Sequence, residues 1–212
     1  MISTDGHFPG SVIQQGSIST VSGERIVHWE LTGAIYHISL HLADSVPADQ
    51  LAAWKEERMR FDALRRKRGG ELSSEEVLGM RQVFDERIER YLSSGFGCCA
   101  LREPLVADAV ACVLEHDNGE RYDLHEWTIM PNHVHVVVAP KKGHPMKELI
   151  DQWKRVSAHA VTRFSAMRAP VWQRDFYSRI IRTREEYGRQ MAYVWHNPES
   201  AGLAAGFLRK RY

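Results

Sequence analysis

The run Trp127-Thr-Ile-Met-Pro-Asn-His-Val-His-Val-Val-Val138 constrains this chain more than any other stretch. Read with a period of two, His133 and His135 fall on one face of a strand, and Val134 and Val136 on the other. Pro131-Asn132 is a turn signal, and Leu124 to Met130 before it reads as another strand. The histidine pair therefore opens the second strand of a hairpin-like unit. Two imidazoles about 7 Å apart along a strand can grip one divalent cation. They can equally be two polar residues on the solvated face of a half-buried sheet. The pair alone does not choose between the two.

The 212 residues suit one domain, or one domain with an elaboration. No stretch approaches the ~20 apolar residues of a membrane span, and the N-terminus shows no signal-peptide pattern. Cys98, Cys99 and Cys112 form no CxxC pair, which fits reduced thiols in a cytoplasmic protein. Net charge is only +1. From Lys141 to Arg182, however, ten Lys/Arg face three acids, Glu148, Asp151 and Asp175. Such a stripe is either a solvated helix face or a track for a phosphate backbone. On the second reading Lys154, Arg155, Arg163, Arg174 and Arg179 are candidate phosphate contacts, and Trp172 and Gln173 either touch bases or buttress the site.

Residues 1–30 show no periodicity and read as a flexible N-terminal arm. The first strand is Ala34–Leu42, with Ile35, His37, Ser39 and His41 on one face. His37 and His41 form a rival metal pair but read as structural. A helical hairpin over about 47–94 follows as an insertion, broken at Gly69-Gly70 and restarted by the capping box Ser73–Glu76. A helix then starts at Pro104 and ends at Asn118-Gly119. Strands over 122–130 and 133–139, a helix from near Pro145 and a strand over Val171–Ile181 come next. The last helix is capped by Thr183 and Glu186 and stops near Asn197, because Pro198 follows. The order β-α-β-β-α-β-α predicts an α+β fold. Its core is the ferredoxin-like split βαβ arrangement, a mostly antiparallel sheet with helices on one face. Residues 31–205 read as a single domain, and 206–212 as a basic C-terminal tail.

On the last helix Tyr193 and Asn197 are four residues apart and share a face. Met130-Pro-Asn-His-Val-His-Val-Val-Val138, Val171-Trp-Gln-Arg174 and Ala192–Leu203 together resemble the single-tyrosine HUH transposases, the IS200-like transposases. The resemblance is nearest to their REP-associated tyrosine branch and runs over residues 33–205. It implies that His133, His135 and Asn197 hold Mg²⁺ or Mn²⁺ and that Tyr193 is the nucleophile. The implied substrate is single-stranded or hairpin DNA, cleaved through a 5′-phosphotyrosine by a monomer or homodimer. His196 is the rival to Asn197, and Tyr177 and Tyr187 are rivals to Tyr193. Two other functions remain open: a structured-DNA or RNA binder that keeps the fold without catalysis, and a hydrolase that uses the histidine pair alone.

Overall fold

The chain is described by a computed structural model covering residues 19–22, 27–30, 33–67, 87, 89, 91–203 and 208–212. Its elements are β1 (Ser19–Ser22), β2 (Val27–Glu30), β3 (Ile35–His41), α1 (Ala48–Lys67), α2 (Pro104–Glu115) and β4 (Tyr122–Ile129). They continue with β5 (His133–Pro140), α3 (Met146–Phe164), β6 (Tyr177–Ile181), α4 (Arg184–Ser200) and β7 (Arg209–Arg211). Five strands form one sheet in the order β6-β3-β5-β4-β7, with every neighbouring pair antiparallel. The unit β3-α2-β4-β5-α3-β6 is the ferredoxin-like split βαβ core, so the fold is α+β with an antiparallel sheet.

The basic C-terminal stretch supplies β7, which pairs with β4 from Glu126↔Arg211 to Thr128↔Arg209. Within residues 1–30, β1 and β2 form a separate two-stranded ladder, Ser19 opposite Glu30.

The sheet buries both of its faces. On one, Tyr36, Ile38, Leu40, Val134, Val136 and Val138 pack against α2 (Val106, Val110, Leu114) and α3 (Leu149, Ile150, Trp153, Val161). Tyr122 joins these layers: its hydroxyl donates to Leu114 O at 2.8 Å and accepts from Trp153 Nε1 at 3.2 Å. On the other face Ile35, Val137 and Ile181 meet Met191 and Val194 of α4. The expectation of helices on one face is thus corrected. The second face carries His37, Ser39, His41, Glu126, Thr128, His133 and His135, all buried. Buried polar groups need polar partners, and α4 covers them while supplying some.

Two further expectations change. The strand expected over 171–181 shrinks to Tyr177–Ile181, and upstream only a single bridge joins Trp172 to Leu42. Lys154 Nζ holds this irregular segment by donating to the carbonyls of Gln173, Arg174 and Asp175 at 2.8, 3.1 and 3.1 Å. Helix α4 does not stop at Asn197 but runs through Pro198 to Ser200. A proline there leaves the carbonyl four residues earlier without its helical donor. That carbonyl, Val194 O, instead accepts from Thr128 Oγ1 at 2.8 Å.

Of the residues expected to form an inserted hairpin, α1, Arg87, Glu89 and residues 91–94 are described. Trp54 packs edge-on against Tyr91 (ring centroids 5.3 Å apart), and Arg87 Nη1 donates to Glu57 Oε2 at 2.7 Å. The Gly69-Gly70 break and the Ser73–Glu76 cap lie outside the described residues.

Candidate active site

Strand register assembles the site. Tyr177, Ser39, His135, Thr128 and Arg209 lie side by side across five strands, and His41 stands opposite His133 in a neighbouring row. The histidine pair is not on a solvated face: both side chains are fully buried. Their Nε2 atoms point at one another, 3.0 Å apart.

The surrounding hydrogen bonds fix one ring. Asn132 Nδ2 donates to Phe96 O at 3.0 Å, so Asn132 Oδ1 is the acceptor facing His133 Nδ1 at 2.8 Å. His133 therefore carries its proton on Nδ1 and turns the Nε2 lone pair toward His135. His135 Nδ1 lies 2.8 Å from Ser39 Oγ and 3.1 Å from His37 Nε2. His37 and His41, expected to be structural, thus join the same cluster: the His37 and His135 rings are 5.2 Å apart, and His41 and His133 6.4 Å. Burial is the main reason all four imidazoles stay neutral, each also disfavouring a charge on the next. His41 and His135 are lowered to about 3, and His37 and His133 fall well below the ordinary value.

Tyr193 stands over this pair from α4. Its ring lies edge-on to His135 at 5.4 Å and to His37 at 5.7 Å, while the residue stays 37% exposed. Burial, then the neighbouring Glu89 carboxylate, push its phenol above the ordinary range, and a hydrogen bond from Asn197 works the other way. Asn197, one turn later, is buried, and among the described residues its Oδ1 has no hydrogen-bond partner. His196, the rival ligand, is exposed. Of the rival tyrosines, Tyr177 reaches the cluster, its ring 5.9 Å from His37. Tyr187 is engaged elsewhere, its hydroxyl 2.8 Å from His125 Nδ1.

One residue that the sequence did not single out enters from the inserted hairpin. Donor atoms of Glu89, His133 and His135 all lie within 4.8 Å of one another, and Glu89 Oε2 is 3.7 Å from His135 Nε2. Burial raises this carboxyl to about 7, opposed by a hydrogen bond with Tyr193. Glu89 sits one position from the apolar stripe of its helix, and no local pattern marks it.

These groups fit a divalent cation. The two Nε2 atoms face each other at 3.0 Å, a spacing that one shared proton or one cation between them satisfies. His41 Nε2, Glu89 Oε2 and Asn197 Oδ1 are also buried without hydrogen-bond partners among the described residues. Nitrogen, carboxylate and amide donors together are a donor set for a divalent cation.

The candidate DNA contacts divide. Arg155, Arg163 and Arg174 are exposed, and Arg174 follows Gln173, whose backbone N–H donates to His41 O at 2.8 Å. Lys154, Trp172, Gln173 and Arg179 make internal hydrogen bonds. Lys154 clamps three carbonyls, and burial lowers it to about 8. Trp172 is buried and donates to Ser157 Oγ at 2.9 Å; Gln173 Nε2 donates to Ala43 O at 2.8 Å; Arg179 Nε donates to Glu186 Oε1 at 2.8 Å. No helix among the described residues is long and apolar enough to cross a membrane.

Comparison with known proteins follows this geometry. No curated protein matches the chain. A solved structure of a REP-associated tyrosine transposase bound to a REP hairpin aligns with 13% identity and a TM-score of 0.47, over 84% of this chain and 73% of that one. Residues 103–196 match the family described as Transposase IS200 like. Across that segment, which holds His133, His135 and Tyr193, this chain is similar to the IS200-like transposases.

Proposed function

We propose that this protein is a metal-dependent endonuclease and strand transferase for single-stranded, hairpin-bearing DNA, working through a 5′-phosphotyrosine on Tyr193. The observation that carries this reading is the Tyr193 ring standing 5.4 Å from His135, above two facing imidazole nitrogens. The similarity of residues 103–196 to the IS200-like transposases supports it.

His133, His135 and Asn197 would hold Mg²⁺ or Mn²⁺. When bound, such an ion polarises the scissile phosphate and neutralises charge in the transition state. The rest falls to the chain itself. Asn132 and Ser39 orient the two imidazoles, and the buried sheet face keeps them neutral, the form a ligand needs. Thr128 ties α4 to the sheet and so sets the height of Tyr193. The Tyr193 hydroxyl attacks phosphorus and gives up its proton, the bond from phosphorus to the 3′-oxygen breaks, and that oxygen takes up a proton and leaves as a 3′-hydroxyl. The phosphodiester energy is kept in the tyrosine ester, so the same site can join a new 3′-hydroxyl without ATP. Arg155, Arg163 and Arg174 serve as phosphate contacts, Arg174 beside the end of the sheet that holds His41.

The test uses end-labelled single-stranded hairpin DNAs with Mn²⁺ or Mg²⁺, resolved on a denaturing gel. A labelled species that migrates with the protein, needs metal and vanishes in Tyr193→Phe is the expected result. Cleavage that survives Tyr193→Phe would transfer the chemistry to Tyr177 or to water. Binding with neither adduct nor cleavage would identify a DNA-binding protein without catalysis.

A further inference from the structure

The inserted hairpin interrupts the split βαβ core between β3 and α2, yet its second helical segment returns a carboxylate to the histidine pair. We infer that Glu89 is a ligand of the cation held by His133 and His135, so that the insertion is a built part of the metal centre. This rests on the reading that the histidine pair binds a divalent cation.

The geometry is that of a shared ion. Around an octahedral ion with bonds of about 2.1 Å, neighbouring donors stand about 3 Å apart and opposite donors about 4.2 Å. The two Nε2 atoms are 3.0 Å apart, Glu89 Oε2 is 3.7 Å from His135 Nε2, and all three donor atoms fall within 4.8 Å. No large rearrangement is needed to bring them onto one centre. Glu89 Oε2 is buried without a hydrogen-bond partner among the described residues, as is Asn197 Oδ1 across the site. A buried carboxylate oxygen without a donor is costly, and a cation supplies what is missing.

Charge gives the second argument. Two neutral imidazoles and an amide leave both charges of the ion uncompensated in a buried site. Adding one carboxylate halves that excess and biases the site toward hard, oxygen-preferring ions. The same carboxyl group hydrogen-bonds Tyr193, so a Glu89 drawn to the ion sets the phenol beside it. The inserted helix would then couple metal loading to the placement of the nucleophile, a link that neither the histidine strand nor α4 makes alone.

The experiment measures Mn²⁺ binding to the full-length chain by calorimetry, and independently by the loss of the free-ion EPR signal. Wild type is compared with Glu89→Gln, His135→Ala and Tyr193→Phe, each checked by circular dichroism. Glu89→Gln keeps the shape of the side chain, and Glu89→Ala serves the same comparison should the amide misfold. The expected result is at least a tenfold loss of Mn²⁺ affinity in Glu89→Gln, a larger loss in His135→Ala, and a change within about twofold in Tyr193→Phe. Glu89→Gln binding within twofold of wild type, while His135→Ala loses the ion, would overturn the inference and leave the proposed function standing. Wild type failing to bind Mn²⁺, or His135→Ala binding as well as wild type, would overturn both.

Discussion

Thr128→Val tests how the nucleophile-bearing helix is held. Pro198 lies inside α4, so Val194 O has no backbone donor four residues on, and Thr128 Oγ1 donates to it at 2.8 Å. Thr128 and Val194 are both fully buried, so water does not replace the lost bond. Valine matches threonine in shape and removes only the donor. An unsatisfied buried carbonyl costs about 1–3 kcal/mol, and we expect about 2. For a chain of this size that corresponds to a drop of about 4–8 °C in melting temperature. The cycle is closed with Pro198→Ala, which returns a backbone N–H able to bond Val194 O. In that background Thr128→Val should cost less than about 0.5 kcal/mol, giving a coupling of about 1.5 kcal/mol. Urea unfolding of the four proteins, read by circular dichroism, measures every corner. An equal cost in both backgrounds, or a cost below about 0.5 kcal/mol with Pro198 present, would refute the account.

Asn132→Leu removes the acceptor that keeps the His133 proton on Nδ1, and Mn²⁺ affinity measured by calorimetry should fall about 10–100-fold; an unchanged affinity would show that the tautomer is set elsewhere. Stability of the metal-free protein should depend on pH through the four buried imidazoles and Glu89. His41 and His135, lowered from 6.5 to about 3, and His37 and His133, also well below the ordinary value, contribute stability that is present above pH 6.5 and is lost as pH falls through their folded-state values. Glu89, raised from 4.5 to about 7, works with the opposite sign, its contribution being lost as pH rises through that window. Between pH 5 and 6.5 four imidazoles outweigh one carboxyl, so stability should rise with pH and the protein should melt several degrees lower at pH 5; a flat profile would sink the assignment of neutral buried imidazoles. Arg174→Ala should weaken DNA binding and reduce the slope of log K against log salt by about one, whereas Lys154→Met should lower stability and leave that slope unchanged. Equal salt slopes in the two variants would contradict a DNA-facing role for the exposed Arg174 and a structural one for the Lys154 carbonyl clamp.

What was legible in the sequence was local. The Val-rich strand around His133 and His135 declares its period within six residues. The Thr183 cap is satisfied as read, its Oγ1 accepting from Glu186 N at 3.1 Å. The order of elements then fixed the split βαβ core, because antiparallel hairpins and a right-handed crossover leave few alternatives. Three features escaped because they depend on distant partners. Pro198 is a stop signal only where the orphaned carbonyl lacks a donor, and Thr128 lies 66 residues away. The strand Arg209–Arg211 is too short and too charged to read as a strand. It forms because Arg211 pairs with the buried Glu126 while Arg209 and Arg211 lie over the Trp195 ring at 4.3 and 4.8 Å. Glu89 is one acid among many on a helical hairpin, and only tertiary packing distinguishes it. The histidines of β3 read as structural for a separate reason, that spacing cannot show which strand lies beside which. Ser39 opposite His135, and His41 opposite His133, is information held in the register alone.

The buried face also carries an energetic imbalance that a bound cation should relieve. Seven polar side chains lie on it beneath α4, and most are matched: Ser39 and Asn132 serve the imidazoles, Thr128 serves Val194 O, and Arg211 serves Glu126. Glu126 keeps one oxygen without a partner among the described residues, and so do three residues of the candidate site, through His41 Nε2, Glu89 Oε2 and Asn197 Oδ1. An ion that binds the folded chain and not the unfolded one stabilises it by RT ln(1 + [L]/Kd), about 2.7 kcal/mol at a hundred times Kd. Mn²⁺ should therefore raise the melting temperature of chelator-treated protein by about 5–11 °C at that excess. His135→Ala should show no shift. Ca²⁺, larger and content with more ligands than this site offers, should give less than Mn²⁺ at equal concentration. A Mn²⁺ shift that persists in His135→Ala would place the ion elsewhere. No shift in the wild-type protein would mean that the imidazoles are matched by a shared proton, as in the metal-free state.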